Sequence, residues 1–336
     1  MNGQTGQRLE RPPRLGFLGV GWIGRHRMEA IIRSETAQVV GVADPGEAAA
    51  REAQKLAPGC ARVDSLDALL ELGLDGLVIA TPSAFHAEQS IQALERGVAV
   101  FCQKPLGRSQ EENQRVVDAA RAADRLLGVD LSYRFTSGMR LLRERVQAGV
   151  LGHIYAANLV FHNAYGPDKA WFYDPKLAGG GCVMDLGIHL VDLVLWVLGF
   201  PEVRRVSSQL FAQGRPLSRP TDAVEDYAAA QLELAPGTAV QLACSWKLSA
   251  GCDAVIEASF YGTQGGAAFR NVNGSFYDFT AEVFRGTSRE RLAEPPDAWG
   301  GRAAVDWVSR LAQGARFDPE SERLVEVATT LDRIYG

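Results

Sequence analysis

Residues 14–24 read RLGFLGVGWIG, an apolar run followed at once by the pattern Gly19-x-Gly21-x-x-Gly24. The first glycine of such a loop permits a tight turn, the second lets the backbone approach a pyrophosphate, and the third allows close packing of helix on strand. A helix beginning here offers free N–H groups and the positive end of its dipole to phosphates. The stretch therefore predicts a dinucleotide-binding loop, to which Trp22 and Ile23 also contribute.

An acidic residue supports this interpretation and bears on the choice of cofactor. Asp44 ends the second predicted strand, 20 residues after Gly24, where the ribose-binding acid is expected. Its carboxylate accepts hydrogen bonds from ribose hydroxyls and repels a 2′-phosphate, and no Arg or Lys follows it before Arg51. We predict NAD in preference to NADP, with Arg25 in the loop as the residue that would favour the phosphate.

The alternation of elements predicts two domains, which also suits a chain of 336 residues. Short apolar strands alternate with helical patterns over residues 15–129, which is typical of a doubly wound parallel sheet, and residues 1–130 are predicted to form a Rossmann domain. Strand-like segments then follow one another over residues 203–269 without helices between them. Residues 131–336 are therefore predicted to form an α+β domain with a large, mostly antiparallel open sheet, and the last helix is a candidate to pack back on the first domain.

Composition excludes several classes of partner. A formal net charge of -5 and an isoelectric point near 5.7 argue against a surface for nucleic acid or anionic membrane. The five cysteines lie at irregular spacings, which fits buried thiols in a reducing compartment. The first residues lack the apolar core of a secretory signal, and the longest apolar run, residues 191–200, is too short to span a bilayer. We expect a cytoplasmic protein.

Two segments carry the chemically reactive side chains. Lys104 follows the fifth predicted strand, so its ammonium group is expected over the sheet edge where a cofactor lies. The second segment is the glycine triplet 179–181 followed by Asp185 and His189. Three glycines permit a backbone shape that bulky residues cannot take. If a helix begins near Met184, the carboxylate and the imidazole lie four residues apart on one helix face.

This segment also has two other interpretations. Asp192 extends the pair into an Asp-x3-His-x2-Asp stripe, which fits a metal site or a polar cap over an apolar helix. No second histidine or cysteine lies near it at ligand spacing, so no metal is predicted. Thr81-Pro82 ends a strand at the ligand-binding edge, and His86 shortly after it fits either a cofactor contact or simple packing.

Taken together, these motifs resemble the glucose–fructose oxidoreductase / inositol dehydrogenase / rhizopine-catabolism (Gfo/Idh/MocA) family. The matching pieces are Gly19–Gly24, Ala43-Asp44-Pro45, Ala80-Thr81-Pro82 with His86, Lys104-Pro105, Tyr133-Arg134-Phe135 and residues 179–189. The resemblance implies a Rossmann domain that binds nicotinamide dinucleotide and a substrate that is a sugar or cyclitol. It also implies a homodimer or homotetramer formed through the C-terminal sheet.

The resemblance further implies roles for individual residues. Lys104 matches the lysine of the family's Glu-Lys-Pro motif and would stabilise developing alkoxide charge, with Lys104-Pro105 a candidate cis bond. His189 would be the general acid/base and Asp185 would bind substrate hydroxyls or orient the histidine. Gln103 departs from the family pattern, which has Glu there, and removes a negative charge beside the lysine.

The predicted cofactor-binding residues are Gly19, Gly21, Trp22, Ile23, Gly24, Asp44, Thr81, Pro82, His86, Gln103 and Lys104. The predicted substrate-binding residues are Lys104, Arg134, Tyr165, Trp171, Asp185 and His189. Residues 162–176 supply aromatic faces and polar tips that suit a polyhydroxylated ring; packed surface aromatics are the alternative. We predict an NAD(P)-dependent oxidoreductase acting on a sugar or cyclitol alcohol or ketone. The alternatives are a reductase of a non-carbohydrate substrate, such as a dihydrodiol or tetrapyrrole, and a non-catalytic dinucleotide-binding regulator.

Overall fold

The computed structural model of the chain describes residues 9–217 and 223–336, which form two compact units. The chain passes from the first unit to the second after Ser132, and Gly300–Val325 belong to the first unit. The prediction assigned residues 131–336 to the second domain, with the last helix as a candidate to pack back on the first. In the structure Gly300–Val325 return to the first unit, whereas Glu326–Gly336, most of the last helix, belong to the second. The reason is α9 (Arg302–Ala312), whose buried Trp307 packs on Phe101 of the first sheet with ring centroids 5.6 Å apart.

The first unit is built on a six-stranded sheet in the order β3-β2-β1-β4-β5-β6, with every pair parallel. Its strands are β1 (Arg14–Leu18), β2 (Gln38–Ala43), β3 (Ala61–Val63), β4 (Gly76–Ile79), β5 (Ala99–Cys102) and β6 (Leu127–Val129). The order reverses between β1 and β4, and ligands of such sheets bind at this point, beyond the carboxyl ends of the strands. The predicted Rossmann architecture is confirmed.

Five helices connect these strands: α1 (Trp22–Arg33), α2 (Glu47–Leu56), α3 (Leu66–Leu70), α4 (Ser83–Glu95) and α5 (Gln110–Ala123). The apolar faces of α3, α4 and α5 pack on fully buried strand residues such as Leu77 and Val100. Helix α5 begins as the sequence predicts, because the Ser109 hydroxyl accepts a hydrogen bond from the Glu112 N–H at 3.2 Å.

The second unit contains a nine-stranded sheet in the order β15-β14-β13-β12-β7-β11-β10-β8-β9. Its strands are β7 (Ile154–Asn163), β8 (Val203–Ala212), β9 (Arg215–Pro216), β10 (Tyr227–Leu234), β11 (Thr238–Ser245), β12 (Ala254–Gly262), β13 (Gly266–Asn271), β14 (Phe279–Arg285) and β15 (Ser288–Ala293). Its helices are α6 (Ser137–Gln147), α7 (Pro175–Ala178), α8 (Ile188–Leu198) and α10 (Arg323–Tyr335). The sheet is antiparallel except for β7 and β11, which pair in parallel. The predicted α+β domain is confirmed.

Three strands of this sheet, β9, β14 and β15, were not predicted from the sequence. The sequence pattern indicates no strand at β9 or β14, and the basic cluster of residues 285–291, which contains Glu290, is typical of a solvated charged face. In the structure most of that segment forms the turn into β15 and its first half, an edge strand with exposed Arg289 and Glu290. Charged side chains are common on sheet edges because they discourage pairing with other chains, so charge alone does not distinguish an edge strand from a loop.

One helical stretch, residues 175–198, is long and apolar enough to cross a bilayer by length and composition. Most of it is buried inside the protein, as in the core helix of a globular domain. The buried free thiols that the irregular cysteine spacing indicates are found at Cys60, Cys102, Cys182 and Cys244, whereas Cys252 is half-buried.

Candidate active site

In the glycine loop of the first unit, glycine is explained by a different physical reason at each of the three positions. Gly19 lies at φ +83°, and a Cβ there would approach the Ala80 carbonyl to 2.6 Å. A Cβ on Gly24 would stand 2.2 Å from the Gly19 oxygen, so this position requires glycine for close packing. A Cβ on Gly21 would meet nothing within 4 Å. The open space at Gly21, beside the start of α1, fits the predicted approach of a pyrophosphate.

Asp44 is oriented by backbone donors at the end of β2. One carboxylate oxygen accepts the Val20 N–H at 2.7 Å and the other accepts the Gly46 N–H at 2.7 Å. Because each carboxylate oxygen has two acceptor sites, the half-buried Asp44 retains capacity for ribose hydroxyls. Trp22 in the loop is 63% exposed and stacks on His26. These residues fit an adenine dinucleotide without a 2′-phosphate.

His86 joins the two other predicted cofactor segments of this unit. Its Nδ1 lies 2.7 Å from the Pro105 carbonyl oxygen and its Nε2 lies 2.7 Å from the Thr81 carbonyl oxygen. The ring is buried, and burial lowers its pKa. The ring links the Thr81-Pro82 turn to the Lys104-Pro105 segment, whose peptide bond is cis. These contacts fit the packing alternative, and the cofactor contact of His86 stays a prediction.

Lys104 is half-buried at the carboxyl end of β5. The preceding Gln103 is buried, and its side-chain amide donates a hydrogen bond to Asp130, which follows β6. Gln103 therefore points into the protein, where it is engaged with another residue of the first unit. This gives Gln103 a structural partner, and its cofactor contact stays a prediction.

In the second unit, the glycine triplet leads into a single π-helical turn, Val183–Gly187, which carries Asp185. Single π turns are rare in proteins, and those that occur are often found at functional sites. The helix thus starts as a π turn at Val183, where the sequence predicts an ordinary helix from Met184. Of the three glycines only Gly179 has a positive φ, +83°. The other two are required by close approach to neighbouring residues, which the sequence could not indicate.

A buried carboxylate, Glu225, holds the start of this turn. Its Oε1 accepts hydrogen bonds from the N–H groups of Gly181 and Val183, both at 2.9 Å, and from the Tyr335 hydroxyl at 2.8 Å. A Cβ on Gly181 would approach the Glu225 carbonyl oxygen to 1.9 Å. Desolvation by burial raises the pKa of Glu225, with its hydrogen bonds opposing the shift. Glu225 thus sets the position from which Asp185 projects.

The Asp185 carboxylate has a directional partner in the same unit. The indole N–H of Trp246, the residue after β11, donates to its Oδ2 at 3.0 Å. Trp246 is buried, and the ring of Tyr173 packs edge-on against it with centroids 5.6 Å apart. A carboxylate fixed beside aromatic faces is the combination that binds sugar rings, since hydroxyls meet the acceptor and C–H faces meet the rings.

His189 lies in the first turn of α8 and is mostly buried among aromatic rings. Tyr133 meets it edge-on at a centroid distance of 4.9 Å, and Phe161 lies 6.2 Å away. Tyr133 also contacts Trp299 and Phe279, so the aromatic rings beside His189 form one continuous cluster. The structure therefore places both predicted reactive groups of this unit, Asp185 and His189, within one short segment.

Arg134 has a structural partner in the second unit, and its substrate contact stays a prediction. Its guanidinium forms a bidentate ion pair with the buried carboxylate of Asp192, with an Nε–Oδ2 distance of 2.9 Å, and lies over the rings of Trp196 and Phe200. This engagement explains Arg134 without a substrate contact. It also removes Asp192 from the suggested metal stripe, and residues 9–217 and 223–336 contain no cluster of three potential metal ligands.

The remaining predicted substrate residues lie on an exposed segment of the same unit. The Tyr165 hydroxyl donates to Asp253 at 2.5 Å, and Trp171 stacks on Phe172 with centroids 3.8 Å apart. Both are held in place by neighbours and present polar or aromatic surface, so both remain predicted substrate contacts. Reasoning from the sequence missed Trp246 and Glu225. The only signal for Trp246 was its position directly after a predicted strand, and Glu225 had no signal in the sequence.

Two family models match the chain. One, described as an oxidoreductase family with an NAD-binding Rossmann fold, covers residues 14–131, and the other, the GFO/IDH/MocA C-terminal domain, covers residues 139–268. Inositol 2-dehydrogenase 4 of Saccharopolyspora erythraea is 30% identical over 325 residues, which is 95% of this chain and 86% of that protein. D-glucoside 3-dehydrogenase of Escherichia coli is 32% identical over 59% of this chain, and the match spans only 60% of that protein.

The fold is also found among solved structures. A levoglucosan dehydrogenase in complex with NADH superposes with a TM-score of 0.82 over 96% of each chain, at 20% identity. At that identity the likeness shows the fold alone. The first unit is an NAD-binding Rossmann domain by its family match.

Proposed function

Because this chain belongs to the Gfo/Idh/MocA family of oxidoreductases, we propose that it transfers a hydride between NAD and a secondary alcohol or ketone of a sugar or cyclitol. The observation that carries the proposal is Asp185, fixed by the Trp246 indole in the same segment as His189. Two relatives support the substrate class, since their names specify an inositol and a glucoside.

Each residue then has a role that its chemistry can perform. Lys104 hydrogen-bonds the reacting oxygen and stabilises the negative charge that develops on it. His189 takes the hydroxyl proton during oxidation and returns it during reduction. Asp185 accepts a hydrogen bond from a neighbouring substrate hydroxyl and fixes the ring. NAD, when bound, supplies the hydride acceptor.

The direct test is a screen of inositols, glucosides and free sugars with NAD, and of ketones with NADH, followed by the absorbance of the reduced nicotinamide. We expect turnover with at least one polyhydroxylated ring and none with simple secondary alcohols. A dihydrodiol or a tetrapyrrole as the sole substrate would contradict the proposal. NAD binding without turnover of any compound would favour the alternative of a non-catalytic dinucleotide-binding regulator.

We predict a preference for NAD that depends on Asp44. Wild-type kcat/KM is expected to be higher with NAD, because the oriented carboxylate meets the ribose hydroxyls and repels a 2′-phosphate. Asp44→Asn should lower the NAD/NADP ratio of kcat/KM by about tenfold or more, equivalent to about 1.4 kcal/mol.

Glu47→Gln is the matched control for Asp44→Asn. It removes the same charge three residues away, from an exposed side chain that pairs with Arg51. An equal change of the NAD/NADP ratio of kcat/KM in both variants would mean that the overall negative charge near the site selects the cofactor. The contact of Asp44 with the ribose would then not be the cause. A wild type that prefers NADP would overturn the NAD prediction.

We predict that two glycines of the loop fail in different ways when changed to alanine. Gly21→Ala places a methyl group in open space at φ −60°, so the fold should tolerate it while the Kd for NAD rises by about tenfold or more. Gly24→Ala forces a methyl group against the Gly19 oxygen and should lower the Tm of the apo-protein. Thermal unfolding and titration with NADH measure both effects. Unchanged NAD affinity in Gly21→Ala would place the pyrophosphate elsewhere.

We further propose that the protein is a cytoplasmic homodimer or homotetramer associating through its nine-stranded sheet. Along β7 buried positions alternate with more exposed ones, and Tyr155 is 52% exposed. An antiparallel sheet with one covered face offers its other face to a partner. Light scattering of the purified protein tests the assembly, and a monomer at micromolar concentration would contradict it.

A further inference from the structure

Lys247, the residue after Trp246, has a backbone conformation that lysine rarely adopts. Its φ is +59°, in the left-handed region where glycine is free of strain. The backbone alone would therefore favour glycine at this turn after β11, where the Lys247 N–H donates to the Tyr165 carbonyl oxygen at 3.4 Å. A strained residue beside a candidate site favours a role for its side chain.

The Lys247 side chain is held against the aromatic surface that adjoins Asp185. Its Nζ lies 5.0 Å from the centroid of the Tyr173 ring, and Tyr173 packs on Trp246, whose indole N–H donates to Asp185. A Cβ on Gly166 would stand 2.8 Å from Lys247 Cε and 2.2 Å from the Tyr173 hydroxyl oxygen. The two side chains therefore occupy space that glycine leaves, so the stem of this exposed lysine is packed.

The ammonium group of Lys247 retains capacity for an anion. In the described part of the chain, residues 9–217 and 223–336, no carboxylate forms an ion pair with it. Acidic residues of the adjoining segments have partners of their own. Asp168 pairs with Lys169, and Asp253 accepts from the Tyr165 hydroxyl. An ammonium group has three N–H donors, and an aromatic ring meets only one side of it, so donors remain for a ligand.

We propose that Lys247 binds an anionic group of the substrate, so that this chain acts on sugars or cyclitols that carry a phosphate or a carboxylate. The ammonium group meets an oxygen of either anion as a compact point charge. Asp185 fixes the substrate ring, Lys247 fixes its charged substituent, and the pair Trp246 and Tyr173 connects the two positions. This specifies the substrate class within the proposed function and rests on it.

The experiment compares charged rings with their neutral parents as substrates with NAD: a hexose with its phosphate and its uronic acid, and an inositol with its monophosphate. The wild-type KM should be about tenfold or more lower for a charged ring, and this preference should weaken as NaCl is added. Lys247→Gln should raise KM for the charged ring by about tenfold or more while kcat stays within about threefold. Lys247→Arg keeps the charge and should keep the preference. The phosphate and carboxylate arms show which anion is bound.

Two further variants separate this effect from folding and from general charge. Lys247→Gly removes the ammonium group and relieves the left-handed strain, so the preference should be lost while the Tm falls by no more than about 2 °C. Arg140→Gln is the matched control, because Arg140 is another exposed cation of the second unit and lies over the Phe135 ring at 4.8 Å. It should leave both KM values unchanged.

Several outcomes would overturn the anion site and leave the proposed function intact. These are a KM for charged rings no lower than for their parents, a preference that survives in Lys247→Gln, and an equal loss of preference in Arg140→Gln. If no ring is turned over, the proposed function fails, and quenching of tryptophan fluorescence by the hexose phosphate decides the anion site. Its Kd should then be about tenfold or more higher in Lys247→Gln than in wild type, and equal values would rule the site out.

Discussion

His189→Ala and Lys104→Ala should each lower kcat by about 10²–10⁴-fold while changing the Kd for NADH by less than about threefold. The imidazole moves the substrate proton and the ammonium group stabilises the developing oxygen charge, and single groups in these roles are worth factors of this size. Neither side chain is assigned to the adenosine half of the cofactor, so binding persists. Single-turnover absorbance and fluorescence titration of NADH separate the two quantities.

Two surface residues serve as controls for these variants. His153→Ala removes an exposed imidazole from the second unit, and Lys55→Ala removes an exposed ammonium group that pairs with Glu52 in the first. Both should retain wild-type kcat. Turnover close to wild type in either His189→Ala or Lys104→Ala would end the proposed mechanism, and lost NADH binding in Lys104→Ala would make this lysine a cofactor ligand.

The fold was predictable wherever a local pattern determines it. The glycine loop, Asp44 and the strand–helix rhythm of the first unit depend on neighbours within about twenty residues along the chain, so the sequence displays them directly. The sequence pattern predicts a helix over about residues 303–311 but not its place on the first sheet, because that place depends on Trp307 meeting Phe101 some two hundred residues earlier.

The candidate site was predictable as a set of reactive groups and not as a set of contacts. Asp185 and His189 share a motif, but the Trp246 indole that orients the carboxylate comes from 61 residues away. Arg27 reaches Asp130 across 103 residues. Arg134 was predicted to bind substrate from its place in a motif, because the sequence shows its neighbours along the chain but not its partners in space. Its bidentate pairing with Asp192 exists only once α8 is packed.

Glu225→Ala is expected to lower the free energy of unfolding by about 3 kcal/mol or more, and also to lower kcat. The substitution leaves the N–H groups of Gly181 and Val183 and the Tyr335 hydroxyl without their buried acceptor, and each unsatisfied group costs about 1–3 kcal/mol. The π turn that carries Asp185 loses its anchor, so kcat falls with it. Urea unfolding and steady-state kinetics measure the two losses.

Glu225→Gln separates most of the hydrogen bonding from the charge, because all three donors meet Oε1, which an amide oxygen can replace. Only the second contact of the Gly181 N–H, to Oε2 at 3.0 Å, is lost. Stability should therefore be largely retained, but its pH dependence should change. Burial raises the folded-state pKa of Glu225 above the ordinary 4.5, so the folded protein holds this proton more tightly than the unfolded chain. The glutamate's contribution is fully present below pH 4.5 and is lost as the pH rises through the raised value.

The stability of wild type relative to Glu225→Gln should therefore decrease as the pH is raised from about 4 toward neutrality. Urea titrations at several pH values measure this difference. A difference that grows with pH would mean that the three donors stabilise the ionised carboxylate by more than burial costs it, and Glu225 would then be an anion held by the turn. A Glu225→Ala variant with wild-type stability and kcat would show that Asp185 keeps its position without this anchor.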